Sequence, residues 1–245
     1  MNIIQESIQV KTPSGDMGTM ILRPKAGGPY PGLLLYSEIF QLTGPILRSA
    51  AIMAGHGFVV AVPEIYHRHL PAGTVLAYDD AGRDEGNRLK TVTPMDSYDQ
   101  GARALIQVLQ KHPQCSGKLG SVGFCLGGHL SFRAALQPEI LASACWYATD
   151  IHSGSLGTTQ PCDTFARMGE IKGELLMIWG RQDPHIPAEG RIKIHQELVR
   201  RNLLFTWHEF NAAHAFMRDE GERYDPELAL ICYRLALDLF NRCLK

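Results

Sequence analysis

Residues 3–11 and 17–23 mix apolar with polar positions in the manner of half-covered strands, and Pro13-Ser14-Gly15-Asp16 between them is turn chemistry. An antiparallel hairpin is therefore predicted to open the fold. The pattern then changes. Residues 32–36 and 58–62 are short, unbroken apolar runs of the kind found in strands covered on both faces. Between them Ile46, Leu47, Ala50, Ala51 and Ala54 fall on one helical face, with Gly55 and Gly57 at its exit.

The alternation continues with a predicted helix over residues 96–111, a strand over 118–124, and a helix that starts just after Cys125 and stops before Pro138. Strands are expected at 143–147, 174–180 and 203–210, with a helix over 187–201 between the last two. Asp225-Pro226-Glu227 supplies an N-cap, a first-turn proline and an acid at the positive end of a long closing helix. Parallel strands need crossover helices on both faces. The expected fold class is thus α/β, a doubly wound, mostly parallel sheet with an N-terminal antiparallel hairpin, in a single domain over residues 1–245. Residues 67–94 and 149–169 show no periodicity and are expected to form loops or a small cap over the sheet edge.

Composition narrows the function. Hydrophobic residues make up 45% and charged residues 20%, which excludes a disordered chain. Lysine plus arginine total 24 against 25 acids, so no global field attracts nucleic acid or an anionic membrane, and neither partner is expected. Residues 1–9 hold no unbroken apolar run, which argues against a signal peptide or membrane helix and sets a cytoplasmic expectation. The six cysteines contain no C-x-x-C pair, a pattern of thiols rather than of a disulfide framework or zinc site.

One of those thiols stands out. Gly123-Phe124-Cys125-Leu126-Gly127-Gly128 lies between a predicted strand and a predicted helix, the setting of a nucleophile elbow, with cysteine in the serine position. Such a turn is tight enough that side chains two before and two after the nucleophile would strike backbone, hence Gly123 and Gly127. Unpaired amides at the helix start favour a thiolate, and the Leu126 amide is placed to hold an oxyanion. Asp183 and His214 follow the strands 174–180 and 203–210, so both are expected at the carboxyl ends of parallel strands, as Cys125 is. The chain order nucleophile, acid, histidine is the one this elbow uses. Plainer readings stand beside these: a buried structural cysteine, an aspartate starting a turn at Pro184, a histidine on a surface loop.

With these residues in place, the chain resembles the dienelactone hydrolase family, carboxymethylenebutenolidases of the α/β-hydrolase fold, along nearly its whole length. The matching blocks are Ser37-Glu38-Ile39-Phe40, residues 123–128, Gly180-Arg181-Gln182-Asp183 and His214-Ala215-Phe216-Met217-Arg218. The resemblance implies Cys125 as nucleophile, His214 as base, Asp183 orienting it, and no cofactor. It further implies that Glu38 holds the thiol protonated at rest until a substrate carboxylate engages Arg218. The Ile39 amide is the implied second oxyanion donor, and Arg83 a further substrate-binding residue. Asn87 stands where the family pattern has a tyrosine, so the implied substrate is a small, carboxylate-bearing ester or lactone that is dienelactone-like rather than dienelactone itself. Physically, a carboxylate beside a thiolate raises the thiol pKa, and an arginine that pairs the carboxylate relieves it. The alternative for Glu38 and Arg218 is a solvated ion pair of little energetic weight.

The leading expectation is hydrolysis through a thioacyl-enzyme, by a monomer or weak homo-oligomer acting on a small molecule. A broad carboxylesterase or thioesterase comes second, and a non-catalytic binding protein on the same scaffold third. His67, His69 and nearby Glu64 match no familiar ligand spacing, so no metal is expected and residues 67–69 are read as a pocket-lining loop. Tyr36, Tyr66, Trp146 and Tyr147 lie near predicted strand ends and are candidate walls of an apolar pocket, with burial in the core as the alternative.

Overall fold

The structure, a computed structural model, describes residues 2–159 and 161–245. Its elements in chain order are β1 (Ile3–Thr12), β2 (Gly15–Pro24), β3 (Tyr30–Tyr36), α1 (Gly44–Gly55), β4 (Val59–Pro63), α2 (Asp80–Val92), α3 (Met95–Lys111) and β5 (Cys115–Phe124). They continue with α4 (Leu126–Ala134), β6 (Ile140–Trp146), α5 (Thr164–Arg167), β7 (Glu174–Gly180), α6 (Ala188–Arg200), β8 (Phe205–Phe210) and α7 (Pro226–Leu244).

All eight strands join one sheet in the order β1-β2-β4-β3-β5-β6-β7-β8. The opening hairpin runs antiparallel from Ile3 opposite Pro24 to Thr12 opposite Gly15, and β2 attaches antiparallel to β4. From β4 to β8 every neighbouring pair is parallel. The expected α/β class, mostly parallel with an antiparallel start, is the one observed. Its consequence for function is that β3, β5, β7 and β8 all release the chain on the same rim of the sheet, where loops from distant parts of the sequence meet.

The two faces of the sheet divide by the two-residue period of a strand. Leu33, Leu35, Val60 and Val62 pack with Ala50, Met53, Ala236 and Phe240 of α1 and α7 in one core. Leu34, Val59 and Ala61 pack with Leu105, Leu109 and Leu130 of α3 and α4 in the other. Covering both faces is what makes the inner strands continuous apolar runs. Among the described residues no helix is long and apolar enough to cross a membrane.

Two segments differ from expectation. Residues 67–94, read as irregular, contain the helix α2; residues 149–169 contain the single turn α5, followed by a 3₁₀ turn at Met168–Glu170. The reason lies in what α2 buries, namely Gly82, Gly86 and Leu89. A helix whose inner face is mostly glycine has no apolar stripe to read. Its start is fixed by Asp79, whose carboxylate accepts from the Gly82 amide at 2.8 Å. Gly86 allows the helix to touch the loop after β3: a Cβ there would stand 2.7 Å from the Ile39 carbonyl oxygen. The Tyr66 hydroxyl donates to the Gly86 carbonyl at 3.0 Å and holds the helix from below.

Candidate active site

Cys125 sits at the junction of β5 and α4 with φ 58° and ψ −119°, a strained conformation for a residue with a side chain. Close approach of backbone on both sides keeps it there. A Cβ on Gly123 would lie 1.9 Å from the Gly127 carbonyl oxygen, and one on Gly127 would lie 2.3 Å from the Tyr36 carbonyl oxygen. The Cys125 amide donates to Trp146 O at 3.1 Å, and its carbonyl accepts from Gly128, His129 and Thr149. The thiol is left half-buried on a cavity wall, and the next amide, Leu126, is the first of α4.

Asp183, just past β7, is buried, and its two oxygens are both used. Oδ1 accepts from the His185 amide at 2.8 Å, and Oδ2 lies 2.5 Å from His214 Nδ1. A carboxylate accepts only, so Nδ1 carries the proton of that bond. His214, just past β8, lines the same cavity as Cys125. Burial draws the ring's pKa down, but Cys125 and Asp183 more than offset this and push it up to about 10. The three side chains that the sequence separates widely thus meet at one cavity: Asp183 holds His214, and His214 and Cys125 share its wall. Edge contacts from Tyr147 at 5.2 Å and His185 at 4.7 Å between ring centroids fix the imidazole plane.

The cavity above them measures about 240 Å³ and takes Glu38, Ile39, Asn87, Arg83 and Arg218 into its lining. Glu38 and Arg218 approach to 3.6 Å with side chains only 4% and 14% exposed, so this is a buried contact and not a solvated pair. Burial pushes the Glu38 carboxyl up, opposed by the charges of Arg218, His214 and Arg223. Arg218 also lies over the Tyr78 ring, 4.3 Å from its centroid. Arg83 reaches the cavity but is exposed and bound to Asp80 at 2.7 Å and Asp84 at 3.0 Å.

Other sequence candidates fall elsewhere. Tyr36, Tyr66, Trp146 and Tyr147 are core residues and none lines this cavity. The His67 ring turns away to the hairpin, 3.1 Å from Ser14 Oγ, so residues 67–69 do not wall the site. Among the described residues no group of three or more His, Cys, Asp or Glu side chains is placed to hold a metal ion. Sequence reading missed Tyr78, Lys90, His185 and Arg223 on the cavity wall. Lys90 and Tyr78 lie in the segment whose helix was not recognised. His185 and Arg223 lie two and five residues beyond Asp183 and Arg218, and that proximity was the available signal.

Comparison with known proteins agrees with this geometry. The model of the dienelactone hydrolase family matches residues 17–244. A Saccharomyces cerevisiae protein provisionally named a carboxymethylenebutenolidase is 39% identical over 236 residues, covering 92% of this chain and 86% of its own. The carboxymethylenebutenolidase of Pseudomonas putida is 24% identical over 237 residues, covering 96% of each. The crystal structure of a provisionally named dienelactone hydrolase from Klebsiella pneumoniae superposes with a TM-score of 0.86 at 22% identity, covering 99% of this chain and 100% of its own. An elbow, an acid and a histidine on one rim of a mostly parallel sheet, matched along nearly the full length, place this chain in the dienelactone hydrolase family, hydrolases of the α/β-hydrolase fold.

Proposed function

We propose that this chain hydrolyses a small ester or lactone bearing a free carboxylate, through a thioacyl-enzyme on Cys125. The observation that supports it most is His214, held by Asp183 at 2.5 Å, on the wall of a cavity of about 240 Å³ that Cys125 also lines. In the first step His214 takes the proton of the Cys125 thiol and the sulfur attacks the carbonyl carbon, forming a C–S bond, while the carbonyl oxygen takes the negative charge. The Leu126 and Ile39 amides hold that oxygen. As the C–O bond breaks, protonated His214 gives its proton to the leaving alkoxide. Neutral His214 then takes a proton from water, the hydroxide attacks the thioester, and sulfur leaves. Asp183 fixes the ring's tautomer and stabilises its charged form throughout.

Glu38 is the brake in this reading. Buried against Arg218 on the wall of the cavity that the thiol also lines, its carboxylate repels a second negative charge there until a substrate carboxylate shares its arginine. The carboxymethylenebutenolidase names of the relatives support a lactone-type substrate. A broad carboxylesterase or thioesterase is the second reading, favoured by the capture of Arg83 by Asp80 and Asp84 and by Asn87 in place of tyrosine.

The test is acyl trapping. Rapid acid quench with 4-nitrophenyl acetate should give a burst of nitrophenolate and an acetyl mass on the peptide holding Cys125, and Cys125→Ala should lower turnover by about 10⁴-fold or more. Turnover retained in Cys125→Ala would end the thioacyl reading. The absence of both burst and adduct in the unaltered protein would leave a binding protein on a hydrolase scaffold.

A further inference from the structure

Four cations line the cavity, namely Arg83, Lys90, Arg218 and Arg223. Three are engaged. Arg83 is bound by Asp80 and Asp84, Lys90 lies 3.0 Å from Asp150, and Arg218 faces Glu38 while lying on the Tyr78 ring. Arg223 differs: it is exposed, lines the cavity, and has no ion-pair partner among the described residues. Two acids of the same loop, Asp219 and Glu220, are bound to Arg48 at 2.6 and 2.7 Å, and Asp225 accepts from the Leu228 amide at the start of α7.

We infer that Arg223, beside Arg218, reads the free carboxylate of the substrate and that it, rather than Arg83, is the second arginine that sets the preference for anionic esters. The assignment rests on the esterase reading above. The wall opposite supports it: Asp79 and Asp80 line the cavity on the α2 side, so that side offers an incoming carboxylate little net attraction. The charge of Arg223 reaches both Glu38 and His185, which places it on the same side as the reacting groups. The substrate class that fits is a monoanion, with one carboxylate at the 218–223 loop and an ester carbonyl at Cys125. A second carboxylate directed at α2 would meet Asp79 and Asp80 beside Arg83 and Lys90, two cations already paired with acids.

Two esters of matched length test this: the 4-nitrophenyl monoester of glutaric acid, which carries a carboxylate, and 4-nitrophenyl valerate, which does not. The quantity read is the ratio of their kcat/KM values. Arg223→Gln should lower that ratio about tenfold, mainly through KM, the loss expected for one charge-assisted contact near solvent. Arg83→Gln should change it by less than about twofold. Arg223→Lys should recover part of the ratio, and raising ionic strength should erode it in the unaltered protein more than in Arg223→Gln. A ratio unmoved by Arg223→Gln, or lowered as far by Arg83→Gln, overturns the assignment while leaving the esterase reading intact. If the unaltered protein turns over neither ester, the esterase reading falls and the assignment with it.

Discussion

The cavity has two walls made in different ways. On the sheet side, Cys125, Asp183 and His214 stand on turns at the ends of the inner strands β5 and β7 and of the edge strand β8. On the other side, α2 is a polar helix that meets the rest of the molecule through Gly82, Gly86 and Leu89. Both walls use glycine to bring backbone against backbone. At the elbow that contact is internal to one turn, between Gly123 and Gly127, and nothing there has room to give. At α2 it is between a helix and the Ile39 loop, where a Cβ on Gly86 would stand 2.7 Å from the Ile39 oxygen, against 1.9 Å at the elbow. The difference teaches that the groups which react are fixed by the sheet, whereas the groups that touch the rest of the substrate are carried by an attached helix.

That contrast is sharpest at Gly123. A methyl group there would sit 1.9 Å from the Gly127 oxygen, far inside contact distance, so the turn would have to open and Cys125 would lose its position. Gly123→Ala is expected to cost on the order of 4 kcal/mol or more, or to prevent folding, with activity abolished in whatever folds. Chemical denaturation against the unaltered protein measures it. A variant of near-normal stability and activity would mean that the sheet wall is as forgiving as α2.

How far each wall was legible in the sequence follows from the same difference. The inner strands announce themselves because burial on both faces demands unbroken apolar runs, and residues just after such runs must reach one rim. For Cys125 and Asp183 that sufficed; His214 follows the half-exposed edge strand β8 and was named from its place after that strand and from chain order, and the structure sets it against Asp183 on the cavity that Cys125 lines. For α2 the signal was absent: an inner face of two glycines and one leucine has no hydrophobic period, and only the Asp79-Asp80 start was available. Once the helix is known, Asp80 and Arg83 at a spacing of three pair by necessity, so the engagement of Arg83 is a consequence of the missed element. Tyr36, Tyr66, Trp146 and Tyr147 teach a separate lesson. Nearness to a strand end says nothing about which way a ring points, and all four point into the core.

Gly86→Ala is the matching experiment on the other wall. Within a helix, alanine is worth up to about 1 kcal/mol over glycine, which offsets the shift needed to relieve a Cβ placed 2.7 Å from Ile39 O. The variant should therefore fold with a Tm within a few degrees of normal. Its activity should still fall by about a hundredfold, because the shift moves the Ile39 amide away from the developing oxyanion. A large loss of stability would make the α2 contact as rigid as the elbow, and full activity would remove Ile39 from the reaction.

The smallest effect concerns the ion pair that ties α2 to the loop after β6. Lys90 Nζ lies 3.2 and 3.0 Å from the two oxygens of Asp150, and Ser155 Oγ donates to Oδ1 at 2.7 Å. Burial alone would raise the Asp150 pKa. Lys90, with the hydrogen bond from Ser155, more than offsets it and holds the carboxyl at about 2, below its ordinary 3.8. Since the unfolded chain then binds the proton more readily, the stability contributed by this group is complete above about pH 4 and lost as pH falls through about 2. Asp150→Asn removes the charge and keeps the backbone, whose φ of 64° asparagine tolerates. At neutral pH the variant should be less stable by on the order of 1–2 kcal/mol, and the gap should close as the two proteins are compared at progressively lower pH. A gap that stays constant with pH would show the pair to be idle, leaving α2 held on the molecule by its glycine contacts and Leu89 without help from charge.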